Sequence, residues 1–392
     1  MSHDIKQQGS VQHKCPNCGA SLHYDAASGR LHCNHCKGFV DFDKDNFVVE
    51  RDFSELYTTD KWKPADVAGY RCHNCGAVSV TPRTTLATLC PYCNSPVVIE
   101  DETGSIVKPD TIIPFEVPPD VAARELTHWR KKRFWSPSKF KKITEAEGIR
   151  GVYLPVWTFD ADTQTNYNGR LGRRRTRTVR RGGKTYTETY TEWFTVSGTM
   201  PAAFDDIVIR ANDHLTDDEF RVLEPLDQRR YMAFDDEYLA GYIADHYTLS
   251  PQEAFSRAKA KMLSVIRQRI ISYYNADVEG HLNLDLQINK RSFKYLFAPV
   301  YIAATKYQGK LYRQYVSGVY NNRNAQTCKI RGTAPRSKLK IALAVLLALG
   351  VAVGLGFLAY FLWKKGSVQG PDDWGVLSAY LRQGVDLLKG GR

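Results

Sequence analysis

The apolar positions fall into stretches with different periods, and each period predicts a different element. The most uniform stretch is Ile341 to Trp363, 23 residues with no charged side chain. As a helix it would be roughly 35 Å long, enough to cross a hydrocarbon core of ~30 Å. Lys338 and Lys340 precede it, Lys364 and Lys365 follow it, and Tyr360 and Trp363 sit at one end, where interfacial aromatic residues belong. The pattern predicts a transmembrane helix over 339–364. Gly350 and Gly354 have the GxxxG spacing of helix-pairing faces. The ordinary glycine content of membrane helices explains them more simply. The tail, 365–392, reads as a short amphipathic helix from Asp372 onward, with Val376, Leu377, Tyr380, Leu381, Val385 and Leu388 near one face.

The segment 105–335 mixes periods. Asp120 is placed to cap a helix through Leu126 and Trp129. Ser250-Pro251-Gln252-Glu253 is a capping box with proline at the first helical position. The helix it opens should run to about Tyr274, with Phe255, Ala258, Met262, Ile266 and Ile270 facing the core. Tyr186, Glu188, Tyr190 and Glu192 alternate with the period of a strand. Two strand-rich stretches resemble each other. Leu154-Pro155-Val156-Trp157 recurs as Ala298-Pro299-Val300-Tyr301, and Gly183-Lys184-Thr185-Tyr186 recurs as Gly309-Lys310-Leu311-Tyr312. The prediction is an α+β domain with two related hairpin units joined by a helical segment.

The N-terminal quarter is organised by cysteine. Eight of the nine cysteines form four CxxC pairs, Cys15/Cys18, Cys33/Cys36, Cys72/Cys75 and Cys90/Cys93, in two CxxC-x14-CxxC sets offset by 57 residues. This is an internal duplication. A CxxC turn presents two thiolates to one ion, and two such knuckles complete a tetrahedral four-sulfur shell. Gly19 and Gly76 follow the first knuckle of each set, where the turn favours positive φ. In the first set Ser21 to Tyr24 and Arg30 to His32 should pair around a turn at Asp25 to Gly29. Ala77 to Val80 and Thr88-Leu89 should repeat that plan.

This assigns 1–45 to one zinc ribbon, 46–65 to a linker with a short helical stretch over Asp52 to Tyr57, and 66–100 to a second ribbon. Two structural Zn2+ ions are expected. Iron and redox-active CxxC are the alternatives. His13, His23, His32, His35 and His73 lie nearby but are not needed as ligands, and Cys328 reads as a small apolar residue.

The net charge of +12 favours anionic partners. Its densest concentration is on the first hairpin: Arg170, Arg173, Arg174, Arg175, Arg177, Arg180, Arg181 and Lys184. A second cluster, Arg130, Lys131, Lys132, Arg133, Lys139, Lys141 and Lys142, is interleaved with Phe134, Trp135 and Phe140. Both could grip phosphates on lipid or nucleic acid, and both could be solvated surface. Met1 to Ser10 is polar and carries no secretory h-region. The excess of Lys329, Arg331, Arg336, Lys338 and Lys340 before the span predicts a cytoplasmic N-terminal side.

The paired ribbons, Tyr153 to Trp157, Phe234 to Tyr242 (FDDEYLAGY), Ala298 to Tyr301 and the terminal span together resemble a family. It is that of bacterial membrane-anchored double-zinc-ribbon proteins of the transcription-factor-IIB type, often labelled primosomal protein N′ or helicase-like. Cys328 stands where that family typically has glycine. The resemblance implies a scaffold or recruitment role at the inner membrane, with phage-shock protein A or stomatin/flotillin-type proteins as company. A helicase is not expected, because no GxxxxGK[ST] loop is present.

The expectation is therefore a non-enzymatic interaction protein with a protein partner. A membrane-tethered nucleic-acid binder is the alternative. The acidic runs Asp217-Asp218-Glu219 and Asp235-Asp236-Glu237 read as helix caps, not catalytic pairs.

Overall fold

The structure is a computed structural model and describes residues 13–44, 50–54, 67–82, 87–98, 108–143, 149–322, 324 and 326–364. The predicted tail, 365–392, and most of 46–65 lie outside the described residues. Of the proposed helical stretch Asp52 to Tyr57, Asp52, Phe53 and Ser54 are described, and Asp52 lies in a short strand with Arg51 against Ser292 and Phe293. The chain divides into two compact units. The larger comprises Met1–Lys132 with Phe140–Ala334, and the smaller Arg133–Lys139 with Pro335–Arg392.

The larger unit is α+β, built on the two predicted hairpins. Ile149–Arg181 turns back as Lys184–Arg210, and Val278–Tyr307 turns back as Lys310–Asn322. Both turns have two central residues at positive φ, Gly182-Gly183 and Gln308-Gly309. Turns of that kind match the right-handed twist of the strands they join.

The repeated motifs meet in the centre of the sheet. The two long strands pair antiparallel with Leu154 opposite Ala298, so Pro155 faces Phe297 and Pro299 faces Tyr153. Proline cannot donate to a ladder and is normally confined to edges. Each proline here sits where its strand exchanges one flanking neighbour for another. Before Pro155 the flank is Ile243–Asp245, and after it the flank is Lys184–Arg210. Before Pro299 the flank is Thr111–Ile112, and after it the flank is Lys310–Asn322. The missing N–H falls at a junction in both halves, which shows the duplication in hydrogen-bond terms.

Around that junction the strands are buried on both faces. Tyr153, Trp157, Phe293, Tyr295 and Phe297 point into one core, and Val152, Leu154, Val156, Leu296 and Val300 into the other. A run of alternating buried neighbours reads as continuous hydrophobicity, the mark of a strand covered on both sides.

One cover is the helix Pro251–Tyr273. Ser250 and Glu253 make the reciprocal capping box, and all five predicted core residues are buried. The helix Pro119–Lys132 begins one residue before Asp120, so Asp120 lies in its first turn and does not cap it. An acid there still favours the helix dipole. The two acidic runs do cap: Thr216 and Glu219 form a capping box, and Asp235 accepts from Glu237 N–H.

In the smaller unit the apolar helix runs Lys338–Lys364, about 40 Å at 1.5 Å per residue. Its 18 most apolar residues have mean hydropathy 2.7, and none of them is buried. Length and composition suit it to cross a membrane.

Candidate functional site

The eight paired cysteines come together as two clusters, Cys15/Cys18/Cys33/Cys36 and Cys72/Cys75/Cys90/Cys93, each with all sulfurs within 4.8 Å of one another. Cys15 Sγ lies 3.6 Å from Cys36 Sγ and Cys18 Sγ 3.5 Å from Cys33 Sγ. The corresponding separations in the second cluster, Cys72 to Cys93 and Cys75 to Cys90, are both 3.6 Å. A tetrahedral ion with metal–sulfur bonds of ~2.3 Å holds its sulfurs about 3.8 Å apart, so both clusters are positioned to bind a metal ion. Four protein ligands leave no open coordination position, which suits a structural ion.

The backbone builds each knuckle the same way. The N–H of the residue after the second cysteine donates to the carbonyl of the first: Gly19 to Cys15, Lys37 to Cys33, Gly76 to Cys72 and Asn94 to Cys90, at 2.7–2.9 Å. All four of these residues have positive φ, between 58° and 76°. The glycines were predicted. Lys37 and Asn94 were missed, although their offset from the cysteines is the same. Backbone N–H groups, chiefly that of Cys36, pull the Cys33 thiol down to about 6, while at Cys18 the pull of the Ala20 backbone N–H is outweighed by burial and the neighbouring sulfurs, which push its thiol up to about 11.

The two modules pack on opposite faces of the central sheet. Cys15, Leu22, Tyr24, Leu31 and Cys33 belong to one core, and Tyr70, Cys72, Cys90, Tyr92 and Val97 to the other.

The first module seats on the FDDEYLAGY segment, whose structural role the sequence alone did not reveal. Tyr24 N–H donates to Ala240 O at 2.8 Å. The Tyr24 ring meets Tyr238 at 5.4 Å and Tyr242 at 6.4 Å. Gly241, with φ +87°, lies so close that a Cβ would come 2.8 Å from His23 Nδ1.

The second module is part of the main sheet, and here the predicted plan is corrected. In the first module Leu22–Asp25 pairs with Arg30–Cys33. In the second, Val78–Pro82 pairs with Val67–Arg71 and with Ile243–Asp245, while Ala87–Leu89 pairs with Pro96–Val98. Ala244 and Asp245 occupy the edge of Val78–Pro82, so its ladder closes on the main sheet. Tyr92 OH and Asn212 Nδ2 both donate to the buried carboxylate of Asp245. Arg313 Nε donates to Tyr92 O at 2.9 Å. Burial raises the Asp245 carboxyl to about 7 and lifts the Tyr92 hydroxyl well above its usual range.

A third group, this one acidic, Asp160, Asp205 and Asp206, also lies within metal-ligand distance. A buried ammonium already serves it: Lys294 Nζ is 2.9 Å from Asp206, 3.4 Å from Asp160 and 3.0 Å from Glu50. Burial alone would push that ammonium pKa down, but the hydrogen bond and charge of Asp206 and the charge of Asp160 outweigh it and hold it above the ordinary lysine value. These residues are separated in sequence, and nothing in their local pattern announced them.

The predicted arginine hairpin is exposed. The third long strand leaves it at Gly172, opposite Val278, so Arg173 to Glu192 continue as a two-stranded ribbon. Alternation and register give the ribbon two different faces. One carries Arg175 opposite Tyr190 and Arg177 opposite Glu188, with ion pairs Arg175–Glu192 at 3.1 Å and Arg177–Glu188 at 2.9 Å. The other carries Thr176, Thr178, Thr185, Thr187, Thr189 and Thr191, with Arg174 and Arg180 on the same face. Arg170 lies 5.5 Å over Trp193, and Arg173 donates to Tyr274 O. Among the described residues no ion pair engages Arg174, Arg180, Arg181 or Lys184.

The second basic cluster divides. Arg130 is fully buried and donates to Thr305, Gln314 and Ile143 O, and Phe140 beside it is also buried. Phe134 and Trp135 are exposed. A cleft of about 510 Å³ beside the Ala26–Gly29 turn holds Arg229 and Arg230, which already pair with Asp227 and, for Arg230, with Glu116.

The Bacillus subtilis (strain 168) protein YdjG, described as uncharacterized, is 28% identical over 340 residues, which are 85% of this chain and 92% of that one. No family model matches the chain. No solved structure matches it.

Proposed function

We propose that the protein is a membrane-anchored zinc-binding interaction protein whose cysteine modules and basic α+β body recruit a protein partner to the inner membrane from the cytoplasmic side. The observation that carries this reading is the pairing of two closed four-sulfur centres with an apolar helix whose 18 most apolar residues are all unburied. Closed centres organise surfaces and leave no position for a substrate. An unburied helical stretch of 18 residues with mean hydropathy 2.7 needs lipid around it. The lysines and arginines before the span support a cytoplasmic body. Cytoplasmic thiols favour zinc over disulfide. The family resemblance adds phage-shock protein A and stomatin/flotillin-type proteins as the first partners to test.

A second reading, a membrane-tethered nucleic-acid binder, is favoured by one feature: the two-stranded ribbon. A β-ribbon fits a major groove, and exposed ion pairs worth ~0.2–1 kcal/mol would not keep its arginines from phosphate.

A gentle detergent pull-down from membranes, divided into nuclease-treated and untreated halves, separates the two. A membrane-associated protein partner that survives nuclease is the expected outcome. Recovery of nucleic acid alone, or loss of the partner with nuclease, replaces recruitment with nucleic-acid binding. Metal analysis should find two zinc ions per chain, and iron at both centres would overturn the zinc assignment.

A further inference from the structure

The smaller unit contains a feature that a plain membrane anchor does not need. The loop Arg133–Lys139 belongs to it, although about 200 residues of chain separate the loop from the helix Lys338–Lys364. Three hydrogen bonds clip the loop to the first turn of that helix. Ser337 N–H donates to Trp135 O at 2.7 Å, and Lys340 Nζ donates to Phe134 O at 3.0 Å and to Ser136 O at 2.9 Å. Lys340 Nζ also lies 5.6 Å from the centroid of the Phe134 ring. Ser337 Oγ accepts from Lys340 N–H at 3.4 Å, so the residue that caps the helix is also the one that holds the loop.

The loop is fixed by its backbone while its largest side chains are left out. Phe134 is 67% exposed and Trp135 38%, and the two rings meet edge to face at 5.2 Å. Leu339, on the adjoining helical turn, is 80% exposed. Lys139, Arg336 and Lys338, on the same loop and the same helix start, are exposed basic side chains. Aromatic rings flanked by basic residues, at the end of a spanning helix, match the headgroup layer of a bilayer. Aromatic side chains partition to that depth, and anionic lipid attracts the cations.

We propose that Arg133–Lys139 is a second membrane-contacting element, in which Phe134 and Trp135 insert at headgroup depth and Lys139, Arg336 and Lys338 bind anionic phospholipid. The proposal rests on the reading of Lys338–Lys364 as a membrane span. It adds that the protein selects anionic membranes.

The test uses the full chain, reconstituted in nanodiscs of phosphatidylcholine alone or with phosphatidylglycerol. A photoreactive benzoylphenylalanine replaces Phe134, Trp135, Phe357 or Tyr273, one at a time. Phe357 lies within the span, and Tyr273, 71% exposed in the larger unit, serves as the solvent control. After irradiation, lipid adducts are counted by mass spectrometry. Adducts are expected at Phe357 in both discs, at Phe134 and Trp135 with at least about threefold higher yield when phosphatidylglycerol is present, and not at Tyr273. The double change Lys139→Glu and Lys338→Glu should abolish that preference while leaving the Phe357 adduct.

Adducts at Phe357 with none at Phe134 or Trp135 overturn the loop proposal and leave the span standing. Equal yields in both discs overturn the anionic selectivity. No adduct at Phe357 removes the span, and the proposal with it.

Discussion

The two cysteine modules share a spacing, a knuckle geometry and a four-sulfur centre, yet they are held in different ways. The first makes its own small sheet and rests on the FDDEYLAGY segment through aromatic contacts and one backbone hydrogen bond. Two of its sulfur-bearing residues, Cys18 and Cys36, are exposed. The second has given its strand edge to the main sheet and is pinned by Tyr92, Asn212 and Asp245; three of its cysteines are buried. A duplicated metal module can thus serve one copy as an attached surface and the other as part of the core.

That contrast is broken or sharpened most strongly by removing one ligand from each module. Cys90→Ser should lower the stability of the whole larger unit by more than about 3 kcal/mol, because metal loss there frees a strand of the main sheet. Cys18→Ser should loosen the first module only. Amide exchange in Leu154 to Phe159 and Leu296 to Ile302 reads the difference, and equal acceleration by both changes would erase it.

Smaller but more local is Gly241→Ala. The new Cβ would meet His23 at 2.8 Å, in a backbone conformation that costs an L-residue about 1–2 kcal/mol. Proteolysis within 13–44 should speed up while the melting of the larger unit stays the same. A fall in that melting temperature would mean that both modules are integral.

The pin under the second module has a pH dependence. The folded Asp245 carboxyl titrates near 7 and an ordinary one near 3.8, so the folded state holds the extra proton between those values. The contribution of this group to stability therefore falls as pH rises through that window. Wild-type stability relative to Asp245→Asn should drop by about 1 kcal/mol between pH 6 and pH 8, measured by denaturant unfolding with metal present. A pH-independent difference would count against a buried, late-titrating carboxyl.

The smallest effect is expected from Lys37→Gly and Asn94→Gly. Relief of the left-handed backbone, about 1 kcal/mol, is nearly offset by the 0.5–1 kcal/mol that glycine adds to the entropy of the unfolded chain. Both variants should unfold within about 0.5 kcal/mol of the wild type. A large loss at Asn94 would show that the exposed hydrogen bond its Oδ1 accepts from Arg150 at 3.2 Å contributes more than such a bond usually does, and one at Lys37 would show that its side chain carries a contact.

The elements whose information is local were legible in the sequence. Cysteine spacing fixed the ligand sets, since a CxxC turn has one way to present two thiolates. The capping box at Ser250 and the five-residue stripe below it fixed a helix, since that pattern has one face to bury. Charge-free length made readable a helix long and apolar enough to cross a membrane. The repeated proline motifs announced a duplication.

Tertiary structure alone decided the rest. It paired the two motifs about Leu154 and Ala298, placed the two modules on opposite faces, buried Arg130 out of a basic run, and brought Lys294 to Asp160, Asp206 and Glu50. Each of those outcomes depends on which strand edge or buried polar group finds a partner far away in the chain. A linear pattern records what a residue can bond to, while the partner it receives is set by the sheet edges and core surfaces that folding brings within reach.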